Sequence, residues 1–308
     1  MNSSRSIRYR CSVVLRLIDS VTGGAPAARA LKLHLGLLDQ PDQTAPARVL
    51  PPLRGRALQP KGGGYYAASE LEPGHYVLTV HSPDYMPMQL QWTLESQAAK
   101  PFEANLRLLP SSAYLYAERL TRVRCRCIGE DEQPVSGVDL FLRGSQSAAA
   151  RARLRQAAEV GATELYVRAT GTTPVAGEQM VLLSQQQVDE ETATSASLER
   201  IQIAAAEEDR EDGVMQVQSA GERCWKLTEP LQQRYPAGTP LLHLIYGQSD
   251  ARGEALLVLP TLPGGATDYE LSTGEGTASL QAHLTLKEGE ALRVELNMAS
   301  GQARIRNR

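Results

Sequence analysis

Residues 15–36, LRLIDSVTGGAPAARALKLHLG, and residues 122–144, RVRCRCIGEDEQPVSGVDLFLRG, pass through the same order of events. Each runs from an alternating strand through an acidic turn, a proline and small residues into a second alternating strand. The turn acids are Asp19 in the first and Glu130 with Asp131 in the second, and the prolines are Pro26 and Pro134. Cys11, Val13, Leu15 and Leu17 share one face at period two. Leu31, Leu33, Leu35 and Leu37 then alternate with Lys32, His34 and Gly36, the pattern of a half-buried strand. Later segments match as well. GYYAASELEPGHYVLTV (64–80) and GEALLVLPTLPGGATDYELSTG (253–274) each place a Pro-Gly turn shortly before Tyr-x-Leu, and FEANLRLL (102–109) parallels ALRVELNM (291–298). Self-similarity of this kind outranks local propensity, so two copies of one β-unit are expected.

In the second copy the two halves of the repeat are separated by residues 151–246. A loop tolerates such an insertion because closure entropy grows only slowly with length. The chain is therefore divided into a sandwich at 1–110, a second sandwich made of 111–150 with 247–308, and an inserted β-rich, barrel-like module at 151–246. Within the insert, strands are expected near Glu164–Arg168, Gln179–Ser184, Leu198–Ala204, Gly213–Gln218, Arg223–Leu227 and Leu241–Tyr246. Propensity makes SAAARARLRQAAE (147–159) a helix and EEDREDG (207–213) a helix end or acidic loop.

Composition narrows the function classes. The chain has 308 residues, 32 Lys and Arg against 35 Asp and Glu, 42% hydrophobic and 22% charged residues, which describes a soluble globular protein. A net charge of −3 gives no reason to expect nucleic acid or an anionic membrane as partner. The charge is divided, however. Residues 1–128 carry 16 basic and 9 acidic groups, a net of +7, and residues 157–246 carry 6 basic and 14 acidic, a net of −8. No apolar run reaches the length of a membrane span. The N-terminal stretch lacks the apolar core of a signal peptide because Arg16 and Asp19 interrupt it. Cytoplasmic synthesis is expected, and four scattered cysteines (Cys11, Cys125, Cys127, Cys224) fit a reducing compartment.

No constellation of catalytic residues stands out. There is no His-Glu-x-x-His, no Gly-x-Ser-x-Gly and no phosphate loop, since Lys61 precedes its three glycines. Cys125-x-Cys127 supplies two thiols where a structural zinc site needs four ligands, so buried small hydrophobes are the better account. His34, His75, His81, His243 and His283 are dispersed, and the acidic run Glu207–Asp212 lacks the ligand alternation of a calcium loop. No catalytic residue, metal or cofactor is expected. The candidate interaction surface is aromatic and basic instead. It comprises Tyr65, Tyr66, Tyr85, Trp92, Tyr114 and Tyr116, side chains of a kind enriched at protein contacts and sugar-binding faces. Arg122, Arg124 and Arg126 add a positive stripe with Arg119.

The repeated unit resembles the carboxypeptidase regulatory-like, or transthyretin-like, β-sandwich family. The residues that carry the likeness are the two strand-turn-proline segments, Leu71 to Tyr76, and Leu262 to Tyr269. The insert is similar to a small β-rich module of phage and phage-tail-like proteins through Gly161–Val167, Gly177–Leu183, Pro230–Leu231 and Ala237–Leu242. The resemblance implies an all-β fold of two Ig-like sandwiches, the second interrupted by a barrel-like insertion. It also implies a non-enzymatic structural or assembly role in a phage tail or phage-tail-like contractile particle. The partners would be other protein subunits, including copies of itself. The alternative is a carbohydrate- or surface-protein-binding adhesion module, with a glycan as ligand.

Overall fold

The computed structural model describes residues 11–27, 31–38, 58–95, 100–115, 120–145, 149–169, 178–184, 197–206, 222–259, 266–274 and 280–306. The chain divides into two compact units, Met1–Tyr114 and Leu115–Arg308.

Among the described residues the first unit holds seven strands: β1 (Cys11–Asp19), β2 (Lys32–Leu38), β3 (Gln59–Gly62), β4 (Tyr65–Ser69), β5 (Gly74–His81), β6 (Met88–Leu94) and β7 (Phe102–Leu108). They form a four-stranded sheet in the order β3-β4-β1-β7 and a three-stranded sheet β2-β5-β6. The alternation of β1 works as its sequence demands: Val13, Leu15 and Leu17 are fully buried. Trp92 of β6 stacks on Phe102 of β7, with ring centroids 5.2 Å apart, which places the two sheets face to face. β7 runs parallel to β1 and, among the described strands, is the edge of its sheet.

The second unit repeats this plan. Its sandwich strands are β8 (Thr121–Ile128), β9 (Asp139–Gly144), β16 (Glu254–Leu259), β17 (Ala266–Thr273), β18 (Gln281–Lys287), β19 (Ala291–Asn297) and β20 (Gln302–Arg306). One sheet is β16-β8-β19-β20, with β19 parallel to β8; β9-β17-β18 belong to the other. Val123, Cys125, Leu140, Leu142, Leu257, Leu271 and Leu284 from both sheets share one core. The equivalence is fixed by two hydrogen bonds. Leu17 N–H donates to Gly64 O (2.9 Å), and Cys127 N–H donates to Gly253 O (2.7 Å). Both glycines have positive φ, +82° and +71°, and at each a Cβ would run into the carbonyl oxygen of that same partner residue. Thus β8 corresponds to β1, β16 to β4 and β19 to β7. β20 has no counterpart among the described strands of the first unit.

Between β9 and β16 lie β10 (Ala150–Leu154), β11 (Glu164–Ala169), β12 (Gln179–Ser184), β13 (Ser197–Ala206), β14 (Glu222–Leu227) and β15 (Pro240–Gln248). Pairing runs β10-β11-β14-β13-β12-β15, and β15 pairs back onto β10, so the six strands close on themselves. Ala152, Leu154, Leu165, Val167, Met180, Leu182, Ile203, Trp225 and Tyr235 fill the interior. β15 serves both parts of the unit. Its residues 240–243 pair with β10 and β12, and its residues 244–248 pair with β9.

One expectation is corrected. Residues 150–154 form a strand, not part of a helix, because Ala150, Ala152 and Leu154 are buried at period two while Arg153 is exposed. β8 is an interior strand flanked by β16 and β19. The strand expected at Gly213–Gln218 and the acidic run at 207–213 lie outside the described residues.

Candidate functional site

The predicted aromatic surface separates into exposed and buried members. Tyr65 is 43% exposed, and the Arg16 guanidinium lies 5.4 Å from its ring centroid; Tyr66 is half-buried beside it. Tyr85, Trp92 and Tyr114 are buried and present no surface, which corrects their assignment. Trp92 fills the space between the sheets, stacked on Tyr76 at 5.6 Å and on Phe102. Tyr116 and Arg119 lie outside the described residues.

Tyr85 and Tyr114 have a different task. Asp19, at the end of β1, is buried, and its Oδ2 accepts the Tyr85 hydroxyl (3.0 Å) and the Tyr114 hydroxyl (2.7 Å). Its Oδ1 accepts the Val21 N–H at 2.8 Å, while Tyr85 itself accepts the Ala27 N–H at 3.1 Å. A buried carboxylate needs such partners. Burial first, then the Asp19 charge, pushes the Tyr85 hydroxyl above the ordinary phenol range. Sequence reasoning marked Asp19 only as a turn acid.

The second unit uses carboxylates in the same way. Glu199 accepts the Tyr235 hydroxyl (2.9 Å) and the Gln232 N–H (2.6 Å). Asp139 accepts the Tyr246 hydroxyl (2.6 Å) and the Gln248 amide (3.0 Å). Burial, followed by this bond to Asp139, raises Tyr246 to about 12. Glu178 Oε1 lies 3.6 Å from Arg151 Nη2 and 3.4 Å from His243 Nε2. Along β15, Leu241 faces the barrel core and Ile245 packs on the sandwich core, with His243 between them at the same period. This ionic layer therefore separates two apolar cores. In the sequence Glu178 carries no sign of this role. Nearby, Arg200 of β13 sits 4.3 Å over the Phe141 ring of β9.

Cys125 and Cys127 point into the sandwich core. Burial raises both thiols, Cys127 to about 11, where a Ser249 hydrogen bond offsets part of the effect. They are unsuited to act as thiolates near neutrality. Among the described residues no group of three or more His, Cys, Asp or Glu could hold a metal ion, and no helix is long and apolar enough to cross a membrane.

The arginine stripe is real and wider than expected. Arg122 and Arg124 are half-buried and Arg126 is exposed, all on the outer face of β8. Strand register places Arg293 of β19 beside Arg124, and Arg306 of β20 beside Arg293. Three guanidinium groups thus stand in one row across three strands. The next row alternates in sign, Glu254, Arg126, Glu295 and Arg304. Like charges directly opposite each other on a sheet are destabilising. Glu295 offsets part of that cost through Arg306, at 3.5 Å.

What the fold defines is an all-β protein of the β-sandwich type. No family model matches the chain, and no curated protein matches it. One solved structure, from Bacteroides ovatus ATCC 8483 and described as that of a "putative cell adhesion protein", is 9% identical to it. That alignment covers 99% of this chain and 97% of the other, at a TM-score of 0.21.

Proposed function

We propose that this chain is a non-enzymatic structural or assembly protein that works through protein–protein contacts, as a component of a phage tail or phage-tail-like contractile particle. The observation that carries the reading is how the buried and half-buried carboxylates are used. Asp19, Asp139 and Glu199 each hold tyrosine hydroxyls and backbone or amide donors of the fold itself, while strand edges such as β7 stay open among the described strands. Open edges are where chains join. The insert's likeness to a module of phage-tail-like proteins supports the finer assignment. Purified tail-like particles from the producing cells, analysed by mass spectrometry, are expected to contain the chain at a fixed stoichiometry. Particles that consistently lack it would remove the assignment.

Adhesion is the second reading, and one observation favours it: the exposed Tyr65 ring backed by Arg16, a surface on which a sugar face can stack. Glycan binding by the isolated chain that disappears on Tyr65→Ala without loss of stability would move the assignment there.

A further inference from the structure

The two units treat one equivalent position differently. In the second, β20 lies antiparallel on the outer edge of β19; in the first, the corresponding strand β7 ends its sheet among the described strands. The shared glycine bonds fix the correspondence. Leu17 and Cys127 are equivalent, Leu17 pairs with Leu106, and Cys127 pairs with Leu296. Hence Leu106 answers to Leu296, Asn105 to Glu295, Ala104 to Val294 and Glu103 to Arg293.

β20 fits its own edge imperfectly. Arg306 stands directly opposite Arg293, and Ile305, opposite Val294, stays 47% exposed. Placed on β7 in the same register, Arg306 would face the exposed Glu103, Arg304 the neutral Asn105, and Ile305 the small, half-buried Ala104. The like-charge pair Arg306–Arg293 is exchanged for an opposite-charge pair with Glu103, while Arg304 and Arg306 give up Glu295, so the side-chain charges balance and it is the open backbone edge that recommends the exchange. The backbone ladder is exchanged bond for bond.

We propose that β20 of one copy adds to the β7 edge of a second copy. It would be released from β19 by opening the turn Met298–Gly301, which is held by Asn297 Oδ1 accepting the Ala299 and Ser300 N–H groups (3.0 and 2.9 Å) and by Gly301 N–H on Asn297 O. Donor and acceptor surfaces differ, so the contact is head-to-tail and propagates as a linear array unless its rotation closes a ring. This rests on the reading of the chain as an assembly protein, and it names the segment through which copies join.

The test uses two full-length variants, Glu103→Cys and Arg306→Cys, both at exposed positions. Directly opposed residues in an antiparallel pair lie within disulfide reach. Each variant is oxidised alone and after mixing at a series of concentrations, with the unsubstituted chain and its four cysteines as baseline. The expected result is a disulfide-linked dimer containing one of each variant, formed only in the mixture. A mixture yielding no dimer overturns the proposal. Dimers of Glu103→Cys alone indicate β7 on β7, dimers of Arg306→Cys alone indicate β20 on β20, and either overturns it as well. If the chain still occurs in particles while no mixed dimer forms, only the β20 route fails and the assembly role stands.

Discussion

The Tyr114 hydroxyl donates to Asp19 Oδ2 across 2.7 Å, joining residues 95 positions apart in the first unit. Tyr85 reaches the same oxygen from another loop, and the Tyr85 and Tyr114 rings lie 5.8 Å apart. One buried carboxylate therefore pins the turn after β1, the loop after β5 and the segment after β7. Asp19→Ala should cost about 3 kcal/mol, because two hydroxyls and the Val21 N–H lose their acceptor in a dry site; Tyr114→Phe should cost about 1 kcal/mol. Urea unfolding followed through Trp92 fluorescence in a Trp225→Phe background reads the first unit separately.

Gly64 and Gly253 make the same prediction in both copies. Gly64→Ala and Gly253→Ala should each lose about 2 kcal/mol or more, from positive φ together with a collision with the backbone carbonyl of Leu17 or Cys127. Gly289→Ala, at φ +75° with open space around it, isolates the conformational part and should cost less. Thermal unfolding of the three variants compares them. Equal losses at all three would mean that the close approach contributes nothing.

Removal of Glu178 should be severe. Glu178→Ala takes the carboxylate from Arg151 and His243, whose side chains are only 10% and 12% exposed between the barrel and sandwich cores, and breaking such a pair costs about 3–5 kcal/mol. Glu159→Ala removes a solvent-exposed partner of Arg234 and should change stability by less than about 1 kcal/mol. Hydrogen exchange in β10, β12 and β15 distinguishes the two.

Alkaline pH should destabilise the second unit before its tyrosines titrate in the fold. Tyr246 and Tyr269 are raised to about 12, chiefly by burial, while in the unfolded chain a tyrosine ionises near about pH 10. The phenol contribution is thus intact below about pH 10 and is lost as pH rises toward 12. Unfolding free energy measured at successive pH values should fall over that window, and the fall should be smaller in Tyr246→Phe.

Much of the fold was legible because period-two burial and a duplicated turn are local signals. Val13, Leu15 and Leu17, and the two Pro-Gly steps before Tyr76 and Tyr269, place strands without any knowledge of pairing. Residues 150–154 misled because Ala and Arg favour helix, and it is pairing of β10 with β11 and β15 that turns their period-two positions inward. The tyrosines misled for a related reason. An amphipathic ring reads the same whether its hydroxyl meets water or a carboxylate, and Asp19 lies 66 and 95 positions from Tyr85 and Tyr114. The Arg124, Arg293 and Arg306 row was hidden because strand register brings together residues from three distant segments.

The most direct measurement is the native mass of the chain in gently lysed producing cells, read by sedimentation with quantitative detection of this protein. Assembly through subunit contacts predicts that most of it sediments in a particle far heavier than one 33.5 kDa chain. Sedimentation at the mass of a single chain, at every stage of growth and at low ionic strength, would contradict the account.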